Sequence, residues 1–158
     1  MAQSAEDVAR ESVECYSAGN FDRLRWLLAD DFYEEELATQ RRVEGADARV
    51  ETVQSWKQAF PDEHGTITGV YTSGNTVAIE VTWEGTQSGP MAMPDGQELP
   101  PSNKRITVKS VQVIEIEDGK MKALRHYFDL MTLLQQIGAM AQAEAVVASR
   151  LHSAASGR

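Results

Sequence analysis

A carboxylate at the junction of two sequence patterns is the strongest candidate for chemistry in this chain. Asp129 follows the run Met121 to Phe128, which predicts a strand, and precedes apolar residues at helical spacing that end at Gly138. On such a strand the side chains of Arg125, Tyr127 and Asp129 share one face. If that face lines a cavity, burial raises the pKa of the Asp129 carboxyl, and the group can exchange protons with a ligand.

Asp129 has a second interpretation as a helix cap. Aspartate is a favoured N-cap residue because its carboxylate accepts hydrogen bonds from the free backbone N–H groups of the first turn, a contribution of about 1 kcal/mol. The sequence does not separate the two interpretations, and one residue can play both roles.

Aromatic side chains could form the wall of a cavity for a planar ligand. Tyr16, Tyr33, Trp56, Trp83 and Tyr127 are the candidates. Aromatic residues at core spacing more often serve packing than binding. We therefore assign Trp56 and Trp83 to the core first, whereas the tyrosine hydroxyls need hydrogen-bond partners.

The acidic run that follows Phe32 contains one further candidate. Glu35 shares a strand face with Tyr33, whereas Glu34 and Glu36 are predicted to be solvated. His126 lies on the opposite strand face from Asp129, so we predict a structural or surface role for it.

Composition excludes several classes of function. The chain has 158 residues and a formal net charge of −9, which disfavours nucleic acid and anionic membrane surfaces as partners. No apolar run approaches the roughly 20 residues of a membrane span, and the first residues lack a signal-peptide pattern, so we expect a cytoplasmic protein. The single Cys15 is predicted to be buried, and the three dispersed histidines predict no metal site.

The predicted helices and strands that position these residues indicate an α+β fold. Three helices are predicted near Ser4–Gly19, residues 20–28 and residues 46–60, and a short strand is predicted at residues 31–37. Four antiparallel strands are predicted at residues 67–72, 76–86, 106–116 and 121–129, with a loop at 89–103 that could act as a lid. Residues 1–138 are predicted to form one domain, and residues 139–158 a helical tail that becomes disordered at its end. Long strands twist, so we expect a curved half-barrel closed by the three helices around a cone-shaped pocket.

Several segments in a fixed order resemble a known family. They are AFPD at 59–62, WEGTQSG at 83–89, a loop with Pro100 and Pro101 before a basic strand start, and DGKM, YFD and LLQQIG within 118–138. Together they resemble the SnoaL-like polyketide cyclases of the nuclear-transport-factor-2-like superfamily. The resemblance spans roughly residues 5 to 138.

The resemblance implies a cone-shaped fold and a cofactor-independent ring closure on a hydrophobic polyketide. It implies that Asp129 matches the acid/base aspartate of the family and that the protein forms homo-oligomers. On this hypothesis Asp129, Gln87 and Arg125 are the catalytic residues. The predicted substrate-binding residues are Tyr33, Glu35, Tyr16, Trp83 and Tyr127.

Three positions depart from the family pattern and keep other reactions open. Gln87 stands where the family usually has a histidine, Glu35 where a histidine is frequent, and Arg125 where a tryptophan is common. A cation beside Asp129 lowers the pKa of its carboxyl, although Arg125 could instead pair with Glu35. The alternatives are an epoxide-opening or hydroxylating enzyme on the same fold and a non-catalytic binding protein.

Overall fold

The order of helices and strands follows the predicted plan with additions. The computed structural model describes residues 3–93 and 95–156. The elements are α1 (Ala5–Ala18), α2 (Phe21–Leu27), β1 (Leu28–Glu36), β2 (Arg41–Glu44), α3 (Ala46–Ala59), β3 (His64–Ser73), β4 (Thr76–Thr86), β5 (Met91–Ala92), β6 (Glu98–Leu99), β7 (Arg105–Glu117), β8 (Lys120–Phe128), α4 (Leu130–Ile137) and α5 (Met140–Ser156).

Capping residues set the ends of the first and fourth helices. Ser4 and Asp7 form a reciprocal capping box at the start of α1, and Gly19 ends that helix in the left-handed conformation. Asp129 caps α4 by accepting a hydrogen bond from the backbone N–H of Thr132 at 3.0 Å, and Gly138 ends the helix. The three predicted N-terminal helices and α4 are confirmed.

The sheet is larger than the four-stranded prediction. Six strands form a curved, open sheet in the order β2-β1-β8-β7-β4-β3. All pairs are antiparallel except β1 and β8, which pair in parallel. Because Leu28 starts β1 instead of extending α2, the strand begins three residues earlier than predicted.

The segment predicted as a loop contains a small hairpin. Strands β5 and β6 pair in antiparallel fashion between residues 91 and 99. Met91, Met93 and Leu99 are buried there against Phe60 of the α3 end and Leu133 of α4. The hairpin therefore packs against the end of α3 and against α4.

A second, larger core fills the concave face of the sheet. The alternation predicted for β4 is confirmed, since Val77, Ile79, Val81 and Trp83 are all buried. They pack against helices α1 to α3 together with the buried side chains of β1, β7 and β8. A space remains between these helices and the sheet.

The tail is helical over a longer range than predicted. Helix α5 runs from Met140 to Ser156 and contacts α4. The remainder of the predicted disordered end, residues 157–158, lies outside the described residues. Among the described residues, no helix is long and apolar enough to cross a membrane.

Candidate functional site

A cavity lies where the helices meet the concave face of the sheet. Its wall comes from α1 to α4, from β1, β4, β7 and β8, and from Glu63 between α3 and β3, and most of it is apolar. The cavity volume is about 70 Å³. That is about half of the roughly 150 Å³ cavity that accepts benzene, so a ring-shaped ligand needs more space than this cavity alone provides. The polar side chains in the wall are Ser12, Tyr16, Glu36, Arg49, Glu63, Gln112 and His126.

Glu63 and Tyr16 form the first polar group of the cavity. Both side chains are buried, and the Tyr16 hydroxyl donates a hydrogen bond to Oε2 of Glu63. Burial raises the pKa of Glu63 to about 7, although the Tyr16 hydrogen bond and the Lys57 ammonium each oppose that rise. Burial and the neighbouring carboxylate also raise the pKa of Tyr16, so its hydroxyl keeps its proton. The cavity thus holds a carboxyl group that can gain and lose a proton near neutral pH.

The turn between α3 and β3 fixes the position of Glu63. Asp62 accepts hydrogen bonds from the backbone N–H and the hydroxyl of Thr86, at 2.6 and 2.9 Å. Lys57 donates to the backbone oxygen of Glu63 and, at 3.1 Å, to that of Ser17. A Cβ at Gly85 would lie 3.0 Å from the Cα of Glu63, so glycine allows the close approach of β4 to this turn.

The second polar group joins β1, β8 and α3. Glu34 and Glu36 occupy the inner face of β1, and Glu36 lies opposite His126 in the parallel pair. Arg49 of α3 pairs with Glu34 at 2.6 Å. Arg41 of β2 pairs with Glu36 at 2.8 Å.

Two buried polar atoms of this second polar group lack hydrogen-bond partners among the described residues. Nδ1 of His126 lies 3.8 Å from Oε1 of Glu34. Within the described ranges, Nε2 of His126 and Oε1 of Glu34 are buried and have no hydrogen-bond partner. Burial lowers the pKa of His126 to about 4 and raises that of Glu34, whereas Arg41, Thr39 and His126 together hold the pKa of Glu36 below its ordinary value despite burial.

The same group has the composition of a metal site but not its charge. One ligand atom each from Glu34, Glu36 and His126 lies within 4.8 Å of the others. However, Arg49 and Arg41 already balance the two carboxylates, so the group offers no net negative charge to a divalent cation. We therefore assign it no metal.

The cavity lies on the opposite face of β8 from the one that the candidate residues share. Arg125, Tyr127 and Asp129 point away from the cavity, and His126 and Phe128 line it instead. Arg125 pairs with Glu115 at 3.1 Å on the outer face, and Tyr127 is 46% exposed. Asp129 is exposed, and its hydrogen bonds to Thr132 lower the pKa of its carboxyl. The capping interpretation of Asp129 therefore accounts for its geometry.

The candidates on β1 also lie on the opposite face from the cavity. Glu35 pairs with Arg42 at 2.9 Å instead of with Arg125, and the Arg42 guanidinium stacks 4.5 Å from the Tyr33 ring centre. Their neighbours Glu34 and Glu36, predicted to be solvated, are fully buried. This correction follows from the period of two, since Phe32, Glu34 and Glu36 share the buried face.

Gln87 is buried but does not line the cavity. Its side-chain amide donates to the backbone oxygens of Gly89 and Pro100 and accepts from the backbone N–H of Ser102, at 3.1 to 3.2 Å. The predicted catalytic position therefore holds the two ends of segment 89–103 together.

Of the predicted catalytic and substrate-binding residues, the structure places Tyr16 and Trp83 in the cavity wall, and the aromatic candidate Trp56 lies there too. The rings of Tyr16 and Trp83 contact each other edge to face at 5.2 Å, and the Trp83 indole N–H donates to Ser110 at 2.8 Å. Sequence reasoning missed Glu63, Arg49 and the inward side of His126. For His126 a signal was present, because it shares a strand face with the apolar Leu124 and Phe128.

An outer recess adjoins the cavity. It has a volume of about 550 Å³, and Glu36 and Trp56 belong to the walls of both spaces. Its other side is formed by Met91 and Met93 of the β5–β6 hairpin region. A ring-shaped ligand could occupy the cavity and this recess together.

The curved sheet and its helices define the ketosteroid-isomerase-like class of folds. A SnoaL-like protein from Jannaschia sp. CCS1, provisionally assigned as a polyketide cyclase, is 20% identical with a TM-score of 0.76 over 85% of this chain and 92% of that one. IdmH from Streptomyces antibioticus, with the same provisional assignment, is 21% identical with a TM-score of 0.74 over 86% of this chain and 99% of its own. AclR from Streptomyces galilaeus, provisionally assigned as a hydroxylase, is 19% identical with a TM-score of 0.72 over 85% of each chain.

The sequence itself carries the family assignment. The family model of the SnoaL-like polyketide cyclases matches residues 6–137. The chain therefore belongs to the SnoaL-like polyketide cyclase family. Among curated proteins, none matches the sequence significantly.

Proposed function

We propose that this protein is a cofactor-independent cyclase that closes a ring in a polyketide-type small molecule, with Glu63 as the group that moves the proton. The observation that carries the proposal is the Glu63 carboxyl, which is buried in an apolar cavity, held by Tyr16 and raised in pKa to about 7. An acid or base is most effective when its pKa lies near the working pH.

One carboxyl group can serve both halves of an aldol-type ring closure. As the carboxylate, Glu63 takes the proton from a carbon beside a carbonyl, and the C–H electron pair becomes the enolate. The enolate carbon then bonds to a second carbonyl of the same molecule. The alkoxide formed there takes the proton back from Glu63, so that protons balance without a cofactor. Tyr16 keeps its hydroxyl proton and can share it with the developing oxyanion.

Family membership and the shape of the pocket support a hydrophobic substrate of small-molecule metabolism. The cavity alone is too small for a bicyclic portion, but it adjoins the outer recess of about 550 Å³, and the two spaces together offer room for a polyketide. Two of the three similar structures described above come from Streptomyces, and one of these two carries a provisional polyketide cyclase assignment. These relationships favour a role in antibiotic or related secondary metabolism.

The first experiment measures proton abstraction directly. 2-Tetralone, a bicyclic ketone, is incubated with the protein in D₂O, and NMR follows deuterium uptake at the carbons beside the carbonyl. We expect the wild-type protein to accelerate uptake and Glu63→Gln to lose about 100-fold or more of that rate, the usual contribution of a general base. Glu84→Gln is the matched control, because Glu84 alternates with Trp83 on β4 and points away from the cavity.

A parallel variant distinguishes Glu63 from the carboxyl that the family resemblance favours. Asp129→Asn keeps an N-cap side chain, so we expect it to preserve the fold and the exchange rate. Loss of exchange in Asp129→Asn with full exchange in Glu63→Gln would contradict our assignment and restore Asp129 as the base. Binding of 2-tetralone without exchange by the wild-type protein would instead support the binding-protein alternative.

A further inference from the structure

The buried imidazole of His126 is the feature that the proposed proton transfer leaves unused. His126 lines the cavity, and its Nε2 atom is shielded from solvent without a hydrogen-bond partner among the described residues. Buried polar atoms in folded proteins are normally hydrogen-bonded. His126 contributes to the cavity wall, so a small movement of its ring would bring the unpaired nitrogen within hydrogen-bond range of a polar atom on a ligand.

The second polar group determines which hydrogen-bonding role Nε2 can play. Arg49 is largely buried and lies 2.6 Å from Oε2 of Glu34, so a neutral Glu34 would leave a guanidinium charge without its counter-charge. We infer that Glu34 is ionised at neutral pH although burial raises its pKa. A carboxylate only accepts hydrogen bonds, and its free Oε1 lies 3.8 Å from Nδ1 of His126.

This arrangement favours the tautomer of His126 that carries its proton on Nδ1. The N–H then faces Oε1 of Glu34, and a small movement of the ring brings the two into hydrogen-bond range. The other nitrogen, Nε2, keeps a lone pair and no proton. Because burial holds the pKa of His126 near 4, the imidazole stays neutral from pH 5 to 8 and the lone pair stays available.

We propose that Nε2 of His126 accepts a hydrogen bond from a phenolic or enolic hydroxyl of the bound ligand. The cavity would then select hydroxylated ring ligands over otherwise equal hydrocarbons, with Glu34 as the positioning residue that sets the tautomer. The inference rests on the proposed function, since it takes the ligand to be a ring-shaped small molecule. It concerns recognition, however, and requires no turnover.

The test compares two ligands of equal shape. 2-Naphthol presents a hydroxyl where 2-methylnaphthalene presents a methyl group, and NMR titration of the Trp83 indole N–H gives both dissociation constants. We expect the wild-type protein to bind 2-naphthol about 10-fold more tightly, the order of one buried hydrogen bond. In His126→Phe the ratio should fall to one or below, whereas His64→Phe, which changes an exposed histidine, should keep the wild-type ratio.

A second measurement needs no variant and reads the tautomer directly. Long-range ¹H–¹⁵N NMR of the wild-type protein distinguishes a protonated Nδ1 from a protonated Nε2. We expect the Nδ1–H form, and a shift of the Nε2 resonance when 2-naphthol binds. The inference is overturned by an Nε2–H tautomer, by a His126→Phe protein that keeps the 10-fold preference, or by failure of both ligands to bind.

The two proposals fail in different ways. Glu63→Gln should lose deuterium exchange and keep the preference for 2-naphthol. If Glu63→Gln keeps exchange while His126→Phe loses the preference, the proposed base is wrong and the recognition site stands. If the preference survives in His126→Phe while Glu63→Gln loses exchange, the recognition site is wrong and the proposed base stands.

Discussion

The raised pKa of the Glu63 carboxyl makes the free energy of unfolding depend on pH. In the unfolded chain its carboxyl has the ordinary pKa of 4.5, whereas in the folded protein burial raises that pKa to about 7. Between these values the folded state binds more protons than the unfolded state, so the free energy of unfolding decreases as the pH rises. The cost of ionising Glu63 is absent below about pH 4.5 and complete above about pH 7.

Replacing Glu63 with glutamine should remove this pH dependence. We expect Glu63→Gln to gain stability relative to the wild-type protein between pH 5 and pH 8, by about 3 kcal/mol at most, because glutamine does not ionise and can still accept from Tyr16. Urea unfolding at the two pH values measures the difference, and Glu84→Gln serves as the exposed control. A constant difference between variant and wild type at both pH values would contradict the raised pKa.

Strand alternation was predictable from the sequence, but the orientation of each strand was predictable only where one face is clearly apolar. On β4 the valines, isoleucine and tryptophan define the buried face, and the structure agrees. In the strand predicted at residues 31–37, Phe32 was the one strongly apolar residue on the inner face, and the acidic residues beside it indicated solvent. Their burial depends on ion pairs with Arg49 of α3 and Arg41 of β2. These partners lie outside β1, so the sequence of β1 alone does not indicate the pairing.

On β8 the sequence analysis favoured the outer face, although the apolar residues mark the inner one. Leu124 and Phe128 mark the inner face by hydrophobicity, and His126 lies there with them. The family resemblance of Asp129 directed attention to the other face. The helix cap at Asp129 was predictable because it depends only on residues 129–132, whereas the cavity depends on pairing between strands distant in sequence.

Gln87 belongs to the connection between β4 and β7, and its role should appear in stability. Gln87→Leu leaves the hydrogen-bonding groups of Gly89, Pro100 and Ser102 without their partner in a buried place. We expect a loss of about 3 kcal/mol in the free energy of unfolding. Urea unfolding measures it, with Gln54→Leu on the exposed side of α3 as the control. A stable Gln87→Leu protein that lost only deuterium exchange would favour the catalytic role that the family resemblance implies for Gln87.

At the scale of the whole molecule, the outer face of the sheet is the surface that we expect to associate with a second copy. Tyr71 and Tyr127 are exposed there, and a shallow depression of about 360 Å³ lies between Thr68, Lys109 and Tyr127. Exposed aromatic side chains are enriched at protein interfaces. The helices occupy the opposite face, so association would leave the cavity intact.

Sedimentation velocity tests this expectation. The wild-type protein should sediment as an oligomer of the 17.5 kDa chain, and Tyr127→Glu should shift it toward the monomer by placing a charge in the interface. Trp26→Glu, an equally drastic change at an exposed site on α2, should leave the oligomer unchanged. A monomeric wild-type protein would contradict the prediction.

The parallel pairing of β1 with β8 has a consequence for synthesis on the ribosome. β1 is complete at Glu36, but its partner strand ends at Phe128, so the inner carboxylates of β1 emerge long before His126. Until β8 has been synthesised and has paired with β1, the concave face of the sheet that α1 to α3 cover is incomplete. The second polar group can therefore form only when nearly the whole domain has left the exit tunnel, and folding should be late and dominated by contacts distant in sequence.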